Sequence, residues 1–170
     1  MGMFDWLTST KKPAPGTPVK PPADMRTAIL AVNRATAPFV IRDGKPENCD
    51  LVAEWKIVDA KWYEIFAKAG LKKVFKILMR LDPEKSEVRV VDQEWTVEWR
   101  AGAPVLSLAA SAFSGQKQEI EFGKAYGFTE KGTLGEIYDY KFETSEIKKP
   151  LQDAVTGAGW AYRGVAFAKL

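Results

Sequence analysis

The sequence predicts an α+β fold: a curved, mainly antiparallel sheet of about eight strands, partly closed and barrel-like, with three helices. Three observations carry this. Between Lys72 and Glu143 apolar and polar residues alternate in successive runs, without the long crossover helices that join parallel strands. Gly102, Gly115 and Gly132 punctuate those runs. Helical periodicity is confined to three short segments outside them.

The first helix spans Ala23–Ala35, with Asp24 as its N-cap and Ile29, Leu30 and Val32 on its apolar face. Pro38 closes that segment, and Phe39–Arg42 reads as a short strand ended by Asp43-Gly44. In the next strand Leu51, Ala53, Trp55 and Ile57 alternate with Val52, Glu54, Lys56 and Val58. Asp59 then caps a second helix, with Trp62, Ile65, Phe66 and Ala69 on one face and Gly70 as its stop.

Phe75, Ile77, Met79 and Leu81 share one strand face and Lys72, Lys76 and Arg80 the other, with Asp82–Lys85 as the turn. On the return strand Val88 and Val90 are out of phase with Trp95, Val97 and Trp99. A one-residue slip would turn half the strand inside out, so a β-bulge near Val90-Val91 is expected to restore the phase. Three strands follow, over 104–113, 116–128 and 136–143, the last alternating Tyr138, Tyr140 and Phe142 with charged residues. Pro150 opens a third helix carrying Leu151, Ala154, Val155 and Ala158, and Trp160–Lys169 is the final strand.

The chain divides into a flexible Pro-rich tail, residues 1–22, and a single domain, 23–170. The tail places Pro13, Pro15, Pro18, Pro21 and Pro22 around Gly16, a composition that favours extended, solvated backbone. Ahead of it stands a small apolar cluster containing Phe4, Trp6 and Leu7. A five-residue patch, Met3–Leu7, makes at most a weak contact with a membrane surface. No apolar run is long enough to span a bilayer. Met1–Leu7 carries Asp5 and lacks the basic and apolar regions of a secretory signal. With Cys49 as its only cysteine the chain forms no internal disulfide, which fits a reducing, cytoplasmic setting.

The chain of 170 residues contains no histidine. Imidazole acid–base chemistry, Ser-His and Cys-His nucleophiles and ordinary zinc ligation are thereby closed to it. Its net charge is +3, and residues 1–23 hold two of those charges through Lys11, Lys12 and Lys20 against Asp5. The near-neutral remainder argues against a nucleic-acid face. Lys72, Lys76 and Arg80 form a basic stripe, but the neighbouring strand is acidic. Cross-strand pairing of Arg80 with Glu87, and of Lys76 with Asp92 past the bulge, accounts for the stripe without a ligand.

Glu94, Thr96, Glu98 and Arg100 line one strand face. Residues two apart there are separated by about 6.5–7 Å, within the range used by inverting glycosidases. Alternating glutamates on a strand are ordinarily a solvated face, so Glu94 and Glu98 are the least unfavourable catalytic candidates and no more. The loop holding Asp43, Glu47, Cys49 and Asp50 lacks metal-ligand spacing. Gly157-Ala158-Gly159 closes a helix rather than opening one, which rules out a dinucleotide loop. Neither a metal nor a cofactor is expected.

Trp55, Trp95, Trp99, Tyr138 and Tyr140 fall on strand faces that read as inward. Packed tightly they are core; on a curved sheet they line a small-molecule site. The leading functional expectation is a non-catalytic binding or interaction module with a small-molecule or protein partner, holding an apolar or aromatic group against a concave sheet. The alternatives are a carboxylate-based hydrolase using Glu94 and Glu98, and a peripheral membrane or assembly factor recruited through Phe4, Trp6 and Leu7.

Overall fold

The computed structural model describes residues 10–35, 37, 39–56, 72–101, 103–108, 114–115, 120–128, 134–143, 145–165 and 170, with backbone alone at 73, 75 and 103 and from 108 to 146. Among the described residues two α-helices, α1 (Pro22–Leu30) and α2 (Ser145–Gly157), accompany nine strands. These are β1 (Phe39–Asp43), β2 (Leu51–Trp55), β3 (Lys73–Asp82), β4 (Glu87–Arg100), β5 (Ala103–Leu108), β6 (Ser114–Gly115), β7 (Ile120–Phe128), β8 (Leu134–Glu143) and β9 (Ala161–Gly164). The expected helix over 59–70 lies outside the described residues, so three helices are not matched.

The strands do not form the expected barrel-like sheet of eight. Seven make one open, mixed sheet in which β1 to β5 follow chain order and β6 and β9 also pair with β4. β7 and β8 form a separate antiparallel pair. β4 is the spine. One of its edges is paired with β3 from Glu87 to Thr96. The other edge takes β9 in parallel at 87–90, β6 at 92–93 and β5 at 95–100. A strand of 14 residues is long enough to give these three short partners successive sections of one edge.

The expected bulge is absent. The register from Lys73↔Thr96 to Asp82↔Glu87 runs without a shift. The change of phase has another cause: the apolar side of β4 changes faces along its length. Val88 and Val90 share a face with Ile77 and Met79, and all four are buried. Val91 is buried and points the other way, opposite Leu78, on the face where Cys49, Val52 and Leu78 cluster. Further along, alternation puts Trp95, Val97 and Trp99 on that second face. The main cluster of buried residues reaches Val74 and Val97, with Trp95, Trp99 and Leu106 packed against it. Without the bulge the predicted ion pairs also fail: Arg80 stands opposite Arg89, and Lys76 opposite Gln93. Arg89 is held instead by Asp82 and Glu87, and Arg80 by the carbonyl of Asn48.

The helices cover the first face. α1 begins with Pro22 at its first position, after Pro21, so Asp24 lies inside the first turn and is not the cap. Met25 and Ile29, one turn apart, are both fully buried. α2 starts five residues before Pro150, which therefore sits inside the helix and removes one backbone donor. Ile147, Leu151 and Val155 form its buried stripe. β1 is an edge strand, and the side-chain amide of Asn33 bonds both the N–H (2.7 Å) and the carbonyl (2.8 Å) of Ile41, as a neighbouring strand would.

The Pro-rich segment lies against the body over its described part. Lys11 exchanges two backbone hydrogen bonds of 2.8 Å with Tyr162 on the outer edge of β9. Thr10 Oγ1 accepts from the Gly164 N–H. Lys20 bonds the carbonyl of Ala158, and its own carbonyl accepts from the buried indole of Trp160 at 2.8 Å. Gly159 turns the chain between α2 and β9 at φ +78°, and a Cβ there would collide with the Pro18 carbonyl. Gly159→Ala is therefore expected to destabilise the protein by at least about 1 kcal/mol in urea denaturation. The same variant should speed proteolysis within residues 10–20, because the collision lies against that segment.

Candidate functional site

The residues that the sequence groups together are distributed over β2, β4 and β8. Trp55 lies on the helix-covered face and is buried. By alternation Trp95 and Trp99 point to the opposite face, where they are half-buried, yet both pack against the same cluster of buried residues that contains Trp55. Tyr138 and Tyr140 belong to β8, and their side chains fall outside the described residues.

The two candidate carboxylates also part company. Glu94 is buried, whereas Glu98 is 63% exposed and pairs with Arg100 at 3.2 Å. β4 is unbroken between them, and four residues of strand span about 13 Å. That exceeds the separation of an inverting pair, so the spacing of residues two apart does not apply to Glu94 and Glu98.

What the structure does bring together is a buried ionisable cluster on the helix-covered face. Asp92, two residues before Glu94 on β4, is fully buried, and its Oδ2 lies 2.5 Å from Lys148 Nζ. Lys148 follows Ile147 on the packed side of α2 and is itself buried. Tyr162, beside Val88 in the β4–β9 ladder, is fully buried, and its hydroxyl has no hydrogen-bond partner among the described residues. Burial first, and then the Asp92 carboxylate, hold the Tyr162 phenol well above its ordinary value. Sequence reasoning had matched Asp92 with Lys76. The available signal was its period: Asp92 shares the face of Val88 and Val90, and Lys148 adjoins the Ile147, Leu151, Val155 stripe.

The second face carries an exposed-to-half-buried ion network. Arg42 reaches Glu47 at 2.5 Å and Glu54 at 2.8 Å, while Lys76 lies 3.6 Å from Glu47 and 3.4 Å from Glu54. The Arg42 hydrogen bond chiefly holds the Glu47 carboxyl below its ordinary range, against the opposing effect of burial. The same Lys76 ammonium sits 4.7 Å from the centre of the Trp95 ring, a cation–π contact, and the Trp95 indole donates to Gln93 at 3.1 Å. In the neighbouring loop, Asp50 accepts from the Leu81 N–H and Asp43 from that of Lys45. Burial raises the Cys49 thiol above its ordinary value, which disfavours the reactive thiolate. No cluster of three or more metal-ligating side chains occurs among the described residues.

An open cleft of about 450 Å³ lies apart from both clusters, lined by Lys11, Lys12, Lys149, Gln152, Asp153 and Thr156. Among the described residues no helix is long and apolar enough to cross a membrane. Comparison with family models, curated proteins and solved structures gave no match, so no relative assigns a role to any of these residues.

Two outcomes test the buried cluster. Lys148→Met alone leaves a carboxylate stranded in the core and should cost about 3–5 kcal/mol in urea denaturation. The double variant Asp92→Leu/Lys148→Met should recover most of that loss, because both desolvated charges are gone. The second outcome concerns pH. A phenol whose value is raised by folding favours the folded state below 10.0, the ordinary tyrosine value, and that contribution is lost as pH rises beyond it. Tyr162→Phe is expected to flatten the alkaline decline of the urea midpoint between wild type and variant while leaving the neutral-pH fold intact.

Proposed function

We propose that this chain is a non-catalytic binding or interaction module whose contact surface is the second face of β4, around Trp95 and Trp99. The observation that carries this reading is the placement of those two indoles: half-buried at the margin of the main core cluster, with a lysine ammonium over one ring. An indole fixed by packing presents a large apolar area at little entropic cost and suits an apolar or aromatic group. Leu106, half-buried opposite the buried Val97 in the β4–β5 ladder, continues the surface.

The ionisable groups favour the same reading over hydrolysis. Asp92 on β4 and Lys148 on α2 are buried against each other. Glu98 is engaged by Arg100 in solvent, far along the strand from Glu94. A general acid–base pair needs both groups within hydrogen-bond reach of one reacting centre.

The test uses the full chain and an apolar aromatic probe, anilinonaphthalene sulfonate, with native mass spectrometry of freshly purified protein to detect a retained molecule. Wild type is expected to bind the probe, and Trp99→Ala and Trp95→Ala to weaken binding at least about fivefold with unchanged circular dichroism. Equal probe binding by wild type and both variants would refute the assignment.

A further inference from the structure

We propose that residues 18–22 form a presented recognition segment whose partner is a protein with an aromatic-lined, acidic-rimmed groove for extended proline-rich chain. This rests on observations separate from the β4 surface, and the two readings fail separately.

The local backbone is the first support. Thr17, Lys20 and Pro21 each precede a proline, which favours extended chain at all three positions. Residues 17–21 run between the turn at 15–16 and α1, and Pro21 stands at φ −60°, ψ 157°, the polyproline conformation. That helix has three residues per turn, so Pro18 and Pro21 share one edge and Val19 lies on the next. Pro15 keeps the same step but stands beyond the turn, where Thr17 donates to the Ala14 carbonyl through both its N–H and its hydroxyl.

The mode of attachment is the second support. The body grips this stretch through its main chain. Lys20 donates to the Ala158 carbonyl at 3.0 Å and accepts from the Trp160 indole at 2.8 Å, and the Pro18 carbonyl lies close against Gly159. The side chains are left outside: Pro18, Val19, Lys20, Pro21 and Pro22 are all exposed, Val19 at 58%. A strap needs only the main chain for these bonds, so the outward apolar strip is available for another role. Because the chain is tied at Lys20 and again where Lys11 meets Tyr162, docking orders little further backbone.

Charge is the third support. Residues 10–23 contain Lys11, Lys12 and Lys20 and no carboxylate, and all three lysines are exposed. Aromatic side chains at a matching step receive proline rings, and basic flanks are drawn to an acidic rim.

The test titrates the isotope-labelled full chain with a panel of purified proline-binding modules that carry aromatic grooves (SH3, WW and EVH1 domains). At least one module should bind saturably, with shifts centred on the amides of Thr17, Val19, Lys20 and Ala23. Pro18→Ala/Pro21→Ala should weaken that binding at least about fivefold. Lys20→Glu should weaken it as well and reduce its dependence on salt. Both variants retain the main-chain bonds of Lys20, and circular dichroism and the urea midpoint should match wild type. Failure of every module to shift those amides would overturn the proposal. Binding that survives the double proline substitution would overturn it equally, because the three-residue step would then have no part in recognition. Concentration-dependent shifts of the same amides in the protein alone would assign the strip to a second copy and overturn the choice of partner.

Discussion

Pairing of β4 along most of both edges is the constraint on which the rest depends. A strand buried in this way has no backbone donor or acceptor left to satisfy elsewhere over most of its length, so its position is fixed by many hydrogen bonds at once. The parallel section with β9 follows from it. A strand arriving from α2 can join only where the edge is unclaimed, and β5 and β6 already occupy the far end. That arrival brings Tyr162 against Val88 and sets α2 over the sheet, which in turn places Lys148 above Asp92.

The buried ion pair then reads as a device for register more than for stability. Desolvating an ammonium and a carboxylate offsets much of their attraction, and an apolar pair of similar volume would serve the core as well. What an apolar pair lacks is direction. Lys148 meets a carboxylate only when α2 lies at one rotation and one height along β4, so the pair discriminates against neighbouring packings of the same helix. The Tyr162 hydroxyl adds a polar atom to the same layer at some energetic cost.

Much of the sheet is legible in the sequence, because alternation is a property of the strands themselves. The β1–β5 meander, the turn at Asp82–Lys85 and the general positions of the terminal helices follow from period and punctuation. The errors share a physical origin in tertiary context. The phase change in β4 looks like a bulge when only one face is assumed to be buried; with both faces covered, an unbroken strand accommodates Val88, Val91 and Trp95 alike. Pro150 looks like a helix start because local rules favour it there, yet packing of Ile147 against the core extends α2 beyond it. The aromatic set was legible as strand residues, whereas which face each strand turns to the helices depends on partners distant in sequence. Asp92 and Lys148 were hidden for the same reason: 56 positions separate a pair that only the α2 docking makes adjacent.

The amide of Asn33 has a consequence for how these molecules behave in a crowd. The outer margin of β1 would otherwise offer Ile41's N–H and carbonyl to any extended peptide, including the same margin of a second molecule. By occupying both groups from within, one side chain terminates the ladder in the way a stopper ends a column. The molecule thus guards that flank against runaway strand-upon-strand stacking without spending a proline or a lysine there.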